Sequence, residues 1–367
     1  MEKLITTLTF CLFFLVSVTA TDNEDLKGDF KWGNPQIQSI SALEFGPDGI
    51  LFLGDAQSAK VFAIDAKAEG PAAEVAPMED VDVAIANQLG TPVDNISITD
   101  MAIDPESKKV YFSVHHTDGT PVLMSLSGDQ WGMVDLANLS YSVASISQPI
   151  GTDAKDRRGR SLRKWAISDL SFYNGQVMVS GLSNQEFGST FRSLPFPFTE
   201  VQRQSSLEIY HAAHGKYETH APIKAFTAAK VGGEDHLIAS YTCTPLVVFP
   251  LNELKQGEHV KGRTVAELGN WNTPLDMIVM EKEGNQYLLM ANSSRAVMKI
   301  KFEDIESFKS ALTTRVEERS GTAGVDFIAL PFVNVLQLDK IDESNFAMLQ
   351  RTAAGKLNLT MQGDRWL

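Results

Sequence analysis

Cysteine is nearly absent: the 367 residues include two, Cys11 and Cys243. Cys11 falls inside an apolar run at the head of the chain, so a processed protein would hold Cys243 alone. No intramolecular disulfide, cysteine-based zinc motif or covalent haem attachment can then be written. Basic side chains are also short, 32 against 46 acidic ones, for a net charge of −14. A surface of that sign repels phosphate backbones and anionic lipid, which argues against a nucleic-acid or membrane-surface protein. After the first twenty residues no apolar stretch is long enough to span a bilayer. No phosphate-cradling loop, dinucleotide fingerprint or Ser-His-Asp motif is evident, so no nucleotide cofactor is expected. Helical periodicity is scarce too. The two short candidates, Asp82 to Leu89 and Glu303 to Ala311, are too few for a parallel α/β fold.

What is present is an ordinary globular composition, 43% apolar, with a leader in front of it. Lys3 precedes an apolar run from Leu4 to Val18, and Val18-Thr19-Ala20 offers small residues to a signal peptidase. Residues 1–20 therefore read as a signal peptide cut near Ala20. The mature chain, 21–367, reads as one domain that is secreted or periplasmic.

Six segments of the mature chain share one pattern: an alternating apolar strand, a Gly/Asn/Asp turn, and a second apolar strand. They begin at Ser41-Ala42-Leu43-Glu44-Phe45, Thr99-Asp100-Met101-Ala102-Ile103, Ser168-Asp169-Leu170-Ser171-Phe172, Ile223, Leu275-Asp276-Met277-Ile278-Val279 and Val333. Ala42, Asp100, Asp169, Lys224, Asp276 and Asn334 are taken as equivalent positions. Short period-two strands repeated in this way predict an all-β fold, a β-propeller. Six blades is the best count; seven requires a further blade near the termini.

The run at 41–55, S-A-L-E-F-G-P-D-G-I-L-F-L-G-D, and T-D-M-A-I-D-P at 99–105 resemble six-bladed propellers of the SMP-30/gluconolactonase and NHL-repeat kind. The stretches Y-H-A-A-H-G-K-Y-E-T-H-A-P (210–222) and Y-T-C-T-P-L-V (241–247) are also similar to exported bacterial propeller proteins of unassigned activity. The SMP-30 resemblance implies a metal-assisted lactonase or hydrolase with a cation at the central channel. The chain departs from that pattern, because Asp dominates and Glu44 falls two positions after Ala42.

In a propeller each blade runs from strand A at the central channel outward to strand D. The D-to-A and B-to-C loops therefore share one face with the A-to-B turns opposite, and loops held by a rigid scaffold are where sites are built. Sorted so, His115, His116, the segment from Tyr210 to His220, Cys243, Arg295, Arg351, Trp165 and Trp271 fall on that loop face. Asp100, Asp169 and Asp276, with Asn334 equivalent, would converge at the channel rim. There they would hold a hard divalent cation such as calcium, or else accept hydrogen bonds from neighbouring blades. His211, His214 and His220, accompanied by Glu218, form an H-x2-H-x5-H set that suits a softer metal or supplies a general base. Cys243 is a soft ligand, a nucleophile or a small buried residue. Trp165 and Trp271 would stack on a ring or pack between blades, and Arg295 and Arg351 would hold a carboxylate or phosphate. Whether the protein is an enzyme stays open. The favoured reading is a scaffold that binds a small molecule, glycan or protein on the loop face. The alternative is the channel-cation lactonase.

Overall fold

The computed structural model describes residues 25–66 and 74–367. The expected signal peptide and its cleavage point lie outside the described residues. The chain forms six sheets around a central channel, antiparallel apart from one parallel pairing of Arg203–His211 with His259–Lys261, an all-β propeller. The inner strands are Ala42–Phe45, Ile96–Ile103, Asp169–Tyr173, Ile223–Val231, Pro274–Lys282 and Val335–Lys340. They define blades 1 to 6 in chain order. Each second strand is walled on both sides by other blades, so Ile50–Asp55 is buried throughout. This is why those strands read as continuous apolar runs rather than alternating ones.

Six apolar clusters fill the spaces between blades, each shared by two neighbours. Ala42, Ile50 and Phe52 of blade 1 pack with Leu170, Val177 and Val179 of blade 3. Met101 and Phe112 of blade 2 pack with Ala347 and Leu349 of blade 6. Around the ring the order is therefore 2, 1, 3, 4, 5, 6. The repeat pattern reads as consecutive blades; the structure instead builds two blades from separated segments. Blade 1 takes its outer strand, Leu139–Ser145, from beyond blade 2, where it pairs with Lys60–Asp65. Blade 6 supplies three strands, and its last, Leu357–Gly363, is met by Met78 from early in the chain. The two backbone bonds between Met78 and Leu359 measure 3.0 and 2.8 Å.

The segment after Met78 secures this closure. Helix α1, Val81–Gln88, buries Val81 and Ile85 in the cluster between blades 2 and 6. Asp82 accepts a bond from the Leu357 N–H at 3.0 Å. Pairing covers the edge of the last strand, which would otherwise template association. Both helix candidates are present, the second shortened to α2, Phe302–Ser307, which ends before the expected Ala311.

Candidate functional site

Four inner strands carry a β-bulge near their start: blade 2 between Ile98 and Asp100, blade 4 between Ile223 and Ala225, blade 5 between Pro274 and Asp276, and blade 6 between Val335 and Gln337. The bulge turns the following residue onto the channel. Asp100, Asp169 and Asp276 thus occupy one level of the ring, opposite Ser113, Ser180 and Ala291 of the adjacent strands. In blade 6 this level is held by Gln337, so Asn334 is not the equivalent residue. Asn334 is exposed, lies in the left-handed region (φ 56°), and its carbonyl accepts the Arg351 N–H. Lys224 is likewise displaced by its bulge, leaving Ala225 at this level.

Two residues further along each strand is a second level, where Glu44 and Asp339 stand. Going round the ring, Asp100, Glu44, Asp169, Thr227, Asp276 and Asp339 alternate between the levels. Five carboxylates therefore face the channel, two more than the repeat position alone indicates. Each reaches across a blade interface. Asp100 accepts from Leu43 N at 2.7 Å, Glu44 from Phe172 N at 2.8 Å and Asp169 from Phe226 N at 2.9 Å. Asp276 accepts from Leu338 N at 2.7 Å and Asp339 from Ile103 N at 2.5 Å. The second oxygen of each aspartate accepts its own next N–H.

Enclosure by protein pushes all five carboxyl groups up. Asp100 and Asp339 reach about 7, and Glu44, Asp169 and Asp276 lie well above the usual carboxylate range. For Glu44, Asp100, Asp169 and Asp276 neighbouring carboxylates add to the rise, and in all five the backbone donors oppose it. The carboxylates close one end of a cavity of about 570 Å³. Its walls continue to Tyr173, Lys230, Gln286 and Lys340, and no residue before the first aspartate level lines it. The cavity therefore runs toward the A-to-B turns, away from the loop face, and no histidine lines it.

The loop face gathers different chemistry over blades 3 and 4. Strand Arg203–His211 ends in a tight turn and returns as Lys216–Glu218, pairing His211 with Lys216. This places Glu218 between two imidazoles, 2.9 Å from His211 Nδ1 and 2.7 Å from His214 Nδ1. Those hydrogen bonds outweigh the burial that would raise it and hold the Glu218 carboxyl at about 2. An ionised carboxylate only accepts, so both Nδ1 atoms donate, and in the neutral imidazoles each Nε2 carries a lone pair. From blade 4, Cys243 and Thr244 follow each other in the left-handed region (φ 68° and 57°). The turn is pinned by Cys243 N donating to Asn272 O at 2.7 Å. It brings the Cys243 sulfur to the histidine pair: one nitrogen of each imidazole and the sulfur all lie within 4.8 Å of one another. His220 stays outside this group, with Nδ1 on the Thr219 hydroxyl at 2.9 Å.

Other candidates are dispersed. His115 accepts the Ile40 N–H at 3.0 Å, and burial lowers its pKa. His116 sits beside Thr91 and Asp118. Arg295 is tucked against Gly269 and donates to Asn270 O, while Arg351 donates to Gly355 O. Trp271 is 72% exposed, with the Arg319 guanidinium 5.6 Å from its ring. Trp165 is covered by Lys224, whose Nζ is 3.0 Å from the ring centroid, with Lys164 at 5.0 Å.

Besides Asp339 in the channel, sequence reasoning missed two further groups. The first is Lys224, a lone lysine in the run A-P-I-K-A-F, made prominent by the bulge. Burial first, then Lys164 and Arg160, lower its amine to about 7. The second is Glu267, a buried carboxylate that accepts Ala213 N at 3.0 Å and whose Oε1 has no partner.

The architecture makes the chain a six-bladed β-propeller. Among solved structures it is similar to a GH43 endo-arabinanase from Bacillus licheniformis, at 13% identity and a TM-score of 0.36 over 74% of this chain and 94% of that one. It is also similar to a putative oxidoreductase (glucose dehydrogenase) from Thermus thermophilus, with 10% identity, a TM-score of 0.33 and coverage of 91% and 99%. A third is the PQQ-bound aldose sugar dehydrogenase from Streptomyces coelicolor, with 12% identity, a TM-score of 0.31 and coverage of 91% and 98%. No family model and no curated protein matches the chain. Likeness at this level concerns the fold alone.

Proposed function

We propose that the protein is an exported binding module that seats an anionic small molecule, or the acidic end of a glycan, on its loop face. The observation that carries this reading is Lys224. Its half-buried amine lies against Trp165 with Lys164 and Arg160 nearby, and among the described residues no carboxylate pairs with it. A buried amine without a counter-ion is costly unless something supplies the negative charge. A carboxylate or phosphate would do so, drawing on all three cations. Export rests on the leader, whose apolar run and small residues fit a signal peptide.

The channel-cation lactonase is the weaker reading. Its carboxylates already serve as acceptors between blades, and the cavity they close has no histidine to move a proton. Calcium is therefore expected to leave the thermal midpoint unchanged.

Gluconate, galacturonate, citrate and inorganic phosphate are suitable probes, read by thermal shift and tryptophan fluorescence. At least one should bind more tightly at pH 6 than at pH 8.5, because an amine titrating near 7 is charged only at the lower value. Lys224→Met should weaken that binding tenfold or more, and Asp169→Asn should not. A calcium response lost in Asp169→Asn, with no anion response, would overturn the proposal and restore the lactonase.

A further inference from the structure

We propose that His211, His214 and Cys243 form a binding site for one zinc ion on the loop face. The site is separate from the anion-binding reading and goes beyond it. Three observations converge. The ligand atoms come from two different blades yet lie within 4.8 Å of one another. His211 is 2% exposed, and its Nε2 is buried without a hydrogen-bond partner. Glu218 accepts a hydrogen bond from each Nδ1–H, the arrangement by which a carboxylate fixes the tautomer and aim of metal-binding imidazoles.

The geometry is that of a nitrogen and sulfur donor set. Two imidazoles and a thiolate suit zinc, a borderline-soft ion, and do not suit calcium or magnesium. Their number leaves one of four tetrahedral positions for water or a ligand, because a closed structural site would use four protein donors. The sequence spacing points to His220 as the third ligand. The fold substitutes Cys243, because the left-handed turn at 243 and 244 carries the sulfur to the neighbouring blade. Glu218 acts as a positioning residue, touching the imidazoles and not the ion.

The test uses the purified full chain, with zinc as ligand and cobalt(II) as its spectroscopic substitute. Wild type should hold about one zinc per chain after dialysis, and cobalt should give a thiolate-to-metal charge-transfer band. Cys243→Ser should abolish the band and weaken zinc by about a hundredfold or more. Glu218→Gln should weaken it by roughly ten- to a hundredfold, with the band retained at saturating cobalt. His220→Ala should change neither. Alkylation of Cys243 by iodoacetamide gives a second readout: zinc should slow it in wild type and not in His214→Ala. Binding of less than a tenth of an equivalent, or equal zinc affinity in Cys243→Ser, overturns the inference. If zinc fails while Lys224-dependent anion binding persists, only the metal site falls. If zinc binds and no anion does, only the anion reading falls.

Discussion

The purified protein is expected to need more urea for unfolding at pH 5 than at pH 8. Asp100 and Asp339 titrate at about 7 in the folded protein against 3.8 for a free aspartate, and Glu44, Asp169 and Asp276 are raised in the same sense. Between these values the folded state holds protons that the unfolded chain has released. Stability is therefore fully present below about pH 4 and lost as pH rises through 7. A shift of this size corresponds to up to ~4 kcal/mol per group, less whatever the water in the cavity screens. Glu267, also raised to about 7, adds in the same direction. Glu218 works the other way: held at about 2, its contribution is fully present above its ordinary 4.5 and is lost progressively as pH falls from there through 2. Urea titrations at unit steps from pH 4 to 8 should show a maximum near pH 5, and Asp100→Asn should flatten the slope between 5 and 8. Stability that climbs from pH 5 to 8 would show that the carboxylates are already neutralised, by a cation or by one another.

Gly181→Ala should be strongly destabilising for a single added methyl group. A Cβ at Gly181 would lie 2.2 Å from the Ala166 carbonyl oxygen and 2.9 Å from that of Trp165. Both are backbone atoms, and Ala166 is completely buried, so neither can swing aside. The segment bearing Trp165 would have to lift off blade 3, an overpacking cost of ~3 kcal/mol. Gly233→Ala is the control. That glycine has φ +84° with open space around its Cβ position, so conformational strain of ~1 kcal/mol is all it should lose. The expected result is a midpoint lowered by several degrees in Gly181→Ala, together with weakened anion binding as Trp165 leaves Lys224. Equal midpoints for the two variants would show that the Trp165 segment is not held where the structure places it.

Much of the scaffold was legible in the amino-acid sequence, for a local reason. Each blade is a run of short strands with its own turns, so alternation, Gly/Asn/Asp punctuation and repetition located the inner strands and both helices without knowledge of their neighbours. The three channel aspartates were visible because they share one position in that repeat. The acidic net charge was likewise a matter of composition.

Tertiary structure decided what depended on register and on contacts between distant segments. A one-residue bulge leaves Lys224 as the unpaired extra residue of its strand, and Asn334 lies before the strand Val335–Lys340, so Gln337 and Asp339 take the channel positions of blade 6. Blade order was hidden because Met78 and the strand Leu139–Ser145 complete blades whose other strands lie far away in the chain. The histidine and cysteine group was only half visible. His211 and His214 are three residues apart on one turn, but Cys243 reaches them only because adjacent blades pack and its left-handed turn aims across the gap. Composition and spacing report which donors a chain owns; packing between blades decides which of them meet.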